Sequence, residues 1–286
     1  MSRAIDPYQI QHAFLWATLS ELEALKVGNV HLYKEGHGLA ISTFVQSAYA
    51  CAPIMARPSM TVGARIMESC IATHNAVRTN SNLGIILLCA CIASATHRRQ
   101  CSPTLRDALR HTLSHLTIDD AQQAYRAIRL MAPSGMGHVA THDIAINPSI
   151  TLAHAMHLSK DRDRIAYQYD SCFQDVYDIA IPFLQAHRCH STQPHITRHT
   201  IAMLHLTLLA SIQDSHIARQ HGTLMAQTIQ ERAARLLTDA AHTPAFYQRL
   251  LAWDHALKQR HINPGTTADM LVASLMLFFI EHMHGR

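Results

Sequence analysis

The sequence predicts an all-α fold, a single-domain multi-helix bundle over residues 1–286 with enclosed central helices. Apolar residues recur at helical spacing in almost every segment between turns, and alternating strand patterns are absent. Two runs, "LGIILLCACIASA" and "HTIAMLHLTLLASI", are apolar on every side. A helix without a polar face is one that other helices surround. These runs are therefore expected at the centre of a bundle of roughly ten or more helices.

The first four helices follow in chain order. Leucine repeats at i, i+4, i+7 and i+10 over residues 15–25, which marks one face of a helix. A second apolar face over 44–51 is expected to stop at Pro53, because proline breaks a helix interior. A third helix is expected over about Val62–Val77, and the first enclosed run follows Asn82.

The later helices carry start signals. Thr117 and Asp120 stand three residues apart at the start of "TIDDAQQAYRAIRLM", a pattern like a capping box. The second enclosed run and the amphipathic run "LMAQTIQERAARLLTDA" come next. The last helix is expected to begin after Pro264, with Thr266 as its N-cap and Asp269 at the third helical position.

Composition and charge narrow the function classes. Apolar residues make up 48% of the chain and charged residues 15%, which is typical of a globular protein and not of a disordered one. The formal charge is +4, and no block of Lys and Arg occurs. A diffuse positive surface of this kind suits anionic small molecules. Small-molecule substrates are therefore expected as partners, and nucleic acid is not.

Cysteine usage and the length of the apolar runs indicate the compartment. The seven cysteines form no C-x-x-C pair and several lie in apolar runs, which is typical of buried thiols in a reducing compartment. The longest apolar runs are shorter than the ~20 residues of a membrane span, and the N-terminus has no basic-then-apolar signal pattern. The chain is therefore expected to be cytoplasmic, without a membrane partner, and its composition is compatible with a homodimer.

Polar turns in front of apolar helices are the candidate site. "HINPGTTADML" places Gly265, Thr266, Thr267 and Asp269 directly before the last apolar run. The structural interpretation is a well-capped helix. The functional interpretation is an anion site, in which helix N–H groups face a phosphate and Asp269 holds a metal ion that the phosphate carries.

Two earlier turns are built in a similar way. "RTNSNLGIILLCA" has Asn80, Asn82 and Gly84 at the start of an enclosed helix. One asparagine cap does not explain the second asparagine, or a glycine where alanine is the better helix former. "LKVGNVHLYKEGHG" begins with Lys26, which either pairs with phosphate or is an ordinary solvated lysine at a helix end.

A further turn, "SIQDSHIARQHG", places Asp214, His216 and Arg219 after the second enclosed helix. The helix dipole disfavours a carboxylate at a C-terminus, so Asp214 is either a functional group or the N-cap of the next helix. The 23 histidines include no H-E-x-x-H motif and no Cys/His zinc spacing. Most of them are therefore expected to be surface or core residues.

Taken together and in this order, "KVGNVHLYKEGHG", "NSNLG", "QDSHIARQHG" and "NPGTTADML" resemble the motifs of the triphosphoribosyl-dephospho-CoA synthase family. The resemblance extends from about Leu15 to Phe279. It implies an all-α enzyme that takes Mg-ATP and 3′-dephospho-CoA and releases adenine. The resemblance also implies that the 5-triphosphoribosyl group is joined to a ribose hydroxyl of the acceptor.

Three motifs depart from the usual family pattern. Lys26–His31 reads Lys-Val-Gly-Asn-Val-His where the family usually has Lys-Pro-Gly-Leu-Val-Asp, and Asn80–Gly84 lacks the family's His-Lys pair. Pro264–Asp269 has Thr-Thr in place of Gly-Ser. These forms resemble a divergent branch of archaea and methylotrophic bacteria that is linked to tetrahydromethanopterin or methanofuran metabolism. The acceptor is therefore either dephospho-CoA or a related precursor of such a cofactor.

The resemblance and the residue types together give a set of candidate site residues. His37, Asp214 and Asp269 are the candidate catalytic residues, the general base being His37 or a carboxylate such as Asp214. Asp214 and Asp269 are also the candidate Mg²⁺ ligands. Glu21 and Glu68 are weaker acid candidates. The residues expected to bind the nucleotide or the second substrate are Lys26, Gly28, Asn29, His31, Asn80, Asn82, Gly84, His216, Arg219, Asn263, Gly265, Thr266 and Thr267.

Two accounts without this reaction stay open at the level of the sequence. A nucleotide-binding protein without turnover is suggested by the missing His-Lys pair, and it predicts nucleotide binding with no release of adenine. A purely helical scaffold predicts no nucleotide binding at all. A scaffold has little reason, however, to keep glycine and aspartate at so many turns.

Overall fold

The computed structural model describes residues 6–132, 144, 146–188, 196–238 and 243–282. Within these ranges the chain forms fourteen α-helices and no β-strand, which confirms the predicted all-α class. The helices are α1 (Pro7–Glu23), α2 (Ile41–Ala56), α3 (Val62–Val77), α4 (Leu83–His97), α5 (Leu105–Ser114), α6 (Ile118–Met131), α7 (Leu152–Ser159), α8 (Arg164–Asp170), α9 (Ile181–His187), α10 (Arg198–Ser211), α11 (Ser215–His221), α12 (Thr223–Thr238), α13 (Pro244–Gln259) and α14 (Gly265–His282). A 3₁₀ turn (Arg99–Cys101) follows α4, and a π-helical turn (Val176–Ala180) leads into α9.

Helices α4 and α14 form the centre of the molecule. Every residue of α4 from Leu83 to Thr96 is buried, and α14 is buried over most of its length. α14 packs against α1, α4 and α10, and α4 packs in addition against α3 and α5. The run "LGIILLCACIASA" is therefore enclosed, as its composition predicts, and α10 with the second apolar run is also mostly buried.

The predicted end of α2 is wrong, because the helix continues through Pro53 to Ala56. The side chain of Arg65 is fully buried, and its Nη1 donates to the carbonyls of Ile54 and Met55 at 2.8 and 2.6 Å. A helix end otherwise leaves such carbonyls without partners. The turn after the proline is therefore stabilised by a side chain from α3.

Of the two capping boxes predicted for the later helices, one is confirmed and the other is wrong. Thr117 and Asp120 form the predicted capping box of α6, with Asp120 N donating to Thr117 Oγ1 at 3.1 Å. The predicted capping box of Thr266 and Asp269 is wrong: α14 begins at Gly265, and Asp269 lies in its second turn. The Thr266 hydroxyl bonds to α11 instead, accepting a hydrogen bond from a backbone amide of that helix at 3.1 Å.

The described cysteines are free and most of them are buried, as the apolar runs around them predict. No helix in the described part of the chain is long and apolar enough to cross a membrane. The buried free cysteines are Cys51, Cys70, Cys89 and Cys91. Cys101 is exposed, and Cys189 lies outside the described residues.

Four helices begin at the same end of the bundle. The starts of α11 and α14 are joined through Asp214, and those of α8 and α11 through a hydrogen bond of 3.1 Å from Arg164 N to Ser215 Oγ. α4 and α14 also begin side by side, because Gly84 of one helix lies against Asp269 of the other. Together with the connection between α1 and α2, these helix starts surround a large cavity.

Candidate functional site

The cavity at this end of the bundle has a volume of about 1250 Å³. Pockets for a single small ligand generally enclose about 300–1,000 Å³, so the cavity has room for two substrates. Its wall includes the α1–α2 connection, the α3–α4 turn and the first turns of α4 and α14. Apolar side chains of α6 and α7 line another part of it.

Most of the residues that the sequence nominates meet here, although they come from four separate turns. Eleven of the sixteen nominated residues line the cavity: Asn29, His37, Asn80, Asn82, Gly84, His216, Arg219, Asn263, Gly265, Thr266 and Asp269. The other five are buried and do not line it: Lys26, Gly28, His31, Asp214 and Thr267. Of the two weaker acid candidates, Glu21 lines the cavity, whereas Glu68 lies on the surface in an ion pair with Arg57.

Asp269 presents a carboxylate to the cavity without a hydrogen bond or ion pair to any described residue. The carboxylate lies against the backbone of Gly84, where a Cβ atom would stand 2.0 Å from Asp269 Oδ2 and 2.6 Å from Cγ. This contact explains the glycine in the first turn of α4. Burial raises the pKa of Asp269 well above its usual range, and the carboxylates of Asp214 and Glu21 raise it further. A cation beside Asp269 would offset these effects.

The start of α4 offers backbone donors next to this carboxylate. Asn82 is the N-cap residue, but its side chain turns away from the helix, and its Oδ1 accepts from Thr73 Oγ1 at 3.1 Å. The amides of Gly84 and Ile85 consequently have no hydrogen-bond partner among the described residues. Free N–H groups at a helix start, together with the helix dipole, favour the binding of an anion.

Asp214 holds the starts of two helices. Its Oδ1 accepts from Ile217 N of α11 at 3.0 Å, and its Oδ2 accepts from the amide and the hydroxyl of Thr267 in α14, each at 2.8 Å. Burial raises the pKa of Asp214, and these hydrogen bonds oppose that rise. Both oxygens are engaged and neither lines the cavity. The geometry therefore favours the N-cap interpretation of Asp214 over the predicted metal and catalytic roles.

Lys26 is fully buried, so its interpretation as a solvated lysine is wrong. Its Nζ forms an ion pair with Glu21 and donates to Asn29 Oδ1 at 2.9 Å, and Asn29 Nδ2 donates to Asn263 Oδ1 at 2.7 Å. Burial lowers the pKa of Lys26 and raises the pKa of Glu21, while the attraction between the two charges opposes both shifts. Lys26 therefore orients side chains of the cavity wall from behind it.

His37 lines the cavity in a defined tautomer. Its Nε2 lies 2.7 Å from the carbonyl oxygen of Gly28. A carbonyl only accepts, so in the neutral ring Nε2 carries the proton and Nδ1 keeps the lone pair. Burial lowers the pKa of His37, which favours the neutral ring. The turn itself requires glycine, because Gly28 has φ +77° and a Cβ there would stand 2.9 Å from Ile262 O.

A second buried network fastens the α1–α2 connection to α13. Asp254 Oδ1 accepts from Gly28 N at 2.8 Å, and Asp254 Oδ2 lies 3.2 Å from His31 Nε2. Lys258 Nζ donates to Asp254 Oδ2 at 3.1 Å and to the carbonyl of Lys34 at 2.8 Å. His31 is thus part of the support and lies outside the cavity wall. The sequence gives no signal for Asp254 and Lys258, because "WDHALKQRH" has the pattern of an ordinary helix.

The wall also holds basic side chains beyond those that the sequence nominates. Arg219, which was nominated, donates from Nη1 to Asp163 Oδ2 at 2.6 Å, and its Nε has no partner among the described residues. Arg78, Arg162 and His74 line the same cavity. Arg78 begins the "RTNSNLG" turn, so its position was a usable signal. Arg162 lies in the charge-rich run "DRDRIAY", where ion pairs on a helix are the usual explanation.

The donor groups suit a metal ion that arrives with a phosphorylated substrate. Among the described residues, no group of three or more His, Cys, Asp or Glu side chains could hold a metal ion. Mg²⁺ commonly binds through one or two carboxylates together with substrate phosphates and water. The carboxylate of Asp269 has no partner within the described ranges and lies beside the free amides of α4, which fits that mode of binding.

The fold is all-α, and one wall of its cavity combines cations with helix amides and a carboxylate that have no partner among the described residues, a combination that suits a phosphorylated small molecule. Residues 7–286 match the model of the ATP:dephospho-CoA triphosphoribosyl transferase family, and the chain belongs to that family, as its motifs predict. A crystal structure of a provisionally assigned triphosphoribosyl-dephospho-CoA synthase from Archaeoglobus fulgidus has a similar fold. Its TM-score is 0.62 at 19% identity, over 83% of this chain and 98% of that one. No curated protein matches the chain.

Proposed function

We propose that the protein transfers the 5-triphosphoribosyl group of ATP to a hydroxyl of 3′-dephospho-CoA and releases adenine. Membership of the family supports a transferase with these two substrates. The observation that carries the proposal is the placing of Asp269, the free amides of Gly84 and Ile85, and the neutral ring of His37 around one cavity. The carboxylate and the amides suit a magnesium-bound triphosphate, and the histidine suits a hydroxyl that must lose its proton.

The reaction sets three tasks for the protein. The bond between C1′ and N9 of ATP breaks, and its electron pair leaves with adenine, which takes up one proton to become the neutral base. A new bond forms between C1′ and the acceptor oxygen, whose proton must go to a base. As in glycoside chemistry, C1′ becomes cationic in the transition state. The protein must therefore hold the triphosphate, stabilise the cation and accept the proton.

The triphosphate is assigned to the start of α4. The amides of Gly84 and Ile85 donate there, and Arg219 and Arg78 supply positive charge from the same wall. Asp269 would hold Mg²⁺, which when bound neutralises phosphate charge and orients the chain of phosphates. Asp214 is left to its capping role, since both of its oxygens are already engaged.

His37 is assigned as the base that takes the proton of the acceptor hydroxyl. Its neutral ring has the lone pair on Nδ1, and the bond from Nε2 to Gly28 O keeps the ring in one orientation. After proton uptake the same carbonyl still accepts from Nε2, so the imidazolium is stabilised. The carboxylate of Glu21 lines the same cavity, but its charge is paired with that of Lys26, so it is assigned no separate role.

Product identification tests the proposal. We expect incubation with Mg-ATP and 3′-dephospho-CoA to yield free adenine and, in equal amount, an acceptor heavier by one triphosphoribosyl group, both detectable by chromatography and mass spectrometry. The His37→Gln variant should bind ATP normally and lose about 10²- to 10⁴-fold in rate. The Asp269→Asn variant should lose the magnesium-dependent part of ATP binding, measured by calorimetry.

Glu231→Gln is the matched control, because Glu231 is exposed on α12 and does not line the cavity. Its ATP affinity and rate should equal those of the wild type. An ATP affinity of Asp269→Asn that is unchanged both with and without magnesium would refute the metal assignment. Saturable ATP binding without adenine release in the presence of any acceptor would refute the transferase and favour a binding protein.

A related acceptor is a second candidate, and Asn29 is the observation that favours it. Asn29 stands where the family usually has leucine, and it lines the cavity. Lys26 and Asn263 each use one hydrogen-bonding position of the Asn29 amide, and its oxygen and nitrogen each keep one further position. The remaining positions suit an acceptor with polar groups at this point of the wall, such as a pterin- or furan-linked cofactor precursor. The adenine-release assay run with each acceptor in turn decides between the two, because the true acceptor raises the rate of adenine release.

A further inference from the structure

Phe44 is an aromatic side chain in the cavity wall that the packing of the protein does not explain. The chain has seven phenylalanines. Six of them lie in the hydrophobic core or pack against it: Phe14, Phe173, Phe183, Phe246, Phe278 and Phe279. Phe44 is only half-buried, lines the cavity and belongs to neither group. Tyr125, another aromatic ring of the wall, is buried and already has an interaction partner.

The face of α2 that carries Phe44 packs against the turn between α3 and α4. Ser47, three residues further along α2, hydrogen-bonds through its hydroxyl to Ser81 Oγ at 2.6 Å. Residues three apart on a helix share one face, so the face that carries Phe44 is the one that packs against this turn. Asn80 is the neighbour of Ser81 in the turn and lines the same cavity.

Asn80 presents a free hydrogen-bond donor there. Its side chain accepts from Leu83 N at 3.3 Å. A backbone N–H only donates, so the accepting atom is Oδ1 and the remaining end of the amide is Nδ2, which carries two donors. Nδ2 has no partner among the described residues. An aromatic ring outside the core and an amide donor without a partner among the described residues thus line the same cavity, on the helix face and the turn that the Ser47–Ser81 hydrogen bond joins.

We propose that Phe44 and Asn80 form the subsite for the adenine ring of ATP. The purine stacks on Phe44, and Asn80 Nδ2 donates to one of its ring nitrogens, which are acceptors. This inference rests on the proposed function and assigns a place to the adenine end of ATP, which the groups proposed for the triphosphate leave undefined. The triphosphate then extends from Asn80 toward Gly84, one turn further along the same wall.

The chemistry of the leaving group assigns the subsite to ATP and not to the acceptor. When the bond between C1′ and N9 breaks, the electron pair of that bond remains on the purine. A donor at a ring nitrogen stabilises this developing negative charge. The adenine of dephospho-CoA keeps its glycosidic bond in the same reaction, so no negative charge develops on it for such a donor to stabilise.

A tryptophan at position 44 reports stacking directly. We expect ATP to quench the emission of the Phe44→Trp variant, and inorganic triphosphate at the same concentration to leave the emission unchanged. The control is Tyr49→Trp, which places the same reporter on α2 at an exposed position outside the cavity wall. Its emission should respond to neither compound. Quenching by triphosphate that equals quenching by ATP, or quenching by dephospho-CoA alone that is as strong, overturns the assignment.

Two conservative changes separate stacking from donation. Phe44→Leu should weaken ATP binding roughly tenfold, since one base–ring stack generally corresponds to about 5- to 150-fold, and Phe44→Tyr should restore it. Asn80→Asp keeps the acceptor for Leu83 N but removes the donor, so ATP binding should weaken about tenfold or more while the thermal midpoint does not fall. Wild-type ATP affinity in Phe44→Leu and Asn80→Asp overturns the proposal.

The same experiments distinguish this inference from the proposed function. Quenching of Phe44→Trp by ATP with no adenine ever released means that the transferase fails and the purine subsite stands. Adenine release with wild-type ATP affinity in Phe44→Leu means that the subsite fails and the transferase stands.

Discussion

Replacing Gly84 with alanine has two opposing effects on the stability of the protein, and they differ in size. Helix propensity alone predicts that alanine stabilises α4 by about 1 kcal/mol. The structure predicts the opposite, because the new Cβ would stand 2.0 Å from Asp269 Oδ2 and 2.8 Å from Ile165 Cδ1. Non-bonded carbon contacts are favourable only near 3.5–4.0 Å. The carboxylate of Asp269 therefore has to move by roughly 1.5 Å, or α4 and α14 have to separate.

The steric cost of the extra methyl group is larger than the gain in helix propensity. Extra methyl groups in close-packed interiors generally cost about 1–3 kcal/mol. After the gain in helix propensity, we expect Gly84→Ala to lower the free energy of unfolding by about 0–2 kcal/mol. The functional effect is expected to be greater, because misplacing a group at a site by about 1 Å can cost on the order of 10²-fold in rate. Magnesium-dependent ATP binding should weaken at least tenfold.

Urea denaturation followed by circular dichroism measures the first effect, and calorimetric titration with Mg-ATP measures the second. The double variant Gly84→Ala/Asp269→Ala removes the clash and should be more stable than the single Gly84→Ala variant. This non-additivity is the signature of a direct contact. A Gly84→Ala protein that is about 1 kcal/mol more stable than wild type and binds Mg-ATP with unchanged affinity would refute the reasoning.

Two further predictions concern stability. Asp214→Ala removes the acceptor of both α11 and α14 and leaves Thr267 without its partner, so the free energy of unfolding should fall by about 2–4 kcal/mol in urea denaturation; a loss below about 0.5 kcal/mol would contradict the double capping role. Burial lowers the pKa of His205 to about 3. The unfolded chain therefore binds the proton more readily below about pH 6.5, and the stability present above that pH should fall by about 3 kcal/mol on reaching pH 4.5. The His205→Gln variant should lose that part of the pH dependence, and an equally steep loss in the variant would contradict the assignment.

The sequence is a good guide to features that depend on neighbouring residues. The run from Leu83 to Ala95 is apolar all round, and no surface helix can have that composition, so its central place follows directly. The candidate turns were found in a similar way, because Gly84 and the adjacent asparagines break local helix preferences. Residues that break a local rule without local compensation often mark a site.

The sequence is a poor guide to partners that lie far apart in the chain. Asp254 and Gly28 are separated by 226 positions, and Asp214 and Thr267 by 53. No periodicity or capping pattern connects residues at such distances. The same limit explains the error at Lys26. A lysine after a helix is solvated unless other elements cover it, and the covering here comes from the tertiary packing of the bundle.

The three aspartates near the cavity differ in function because of their hydrogen bonds and not because of their residue type. Asp163 and Asp214 accept helix amides, and Asp163 also accepts from Arg219, so their negative charges are compensated within the fold. Asp269 accepts no hydrogen bond from the described residues, and the charge of Arg219 offsets its burial only in part, so that its pKa stays raised. A buried carboxyl whose pKa is raised costs free energy at every pH above its unfolded value. The protein would be more stable with a neutral amide at this position. The Asp269→Asn substitution that removes magnesium-dependent ATP binding should therefore raise the free energy of unfolding, as expected of a residue that contributes to ligand binding at the expense of stability.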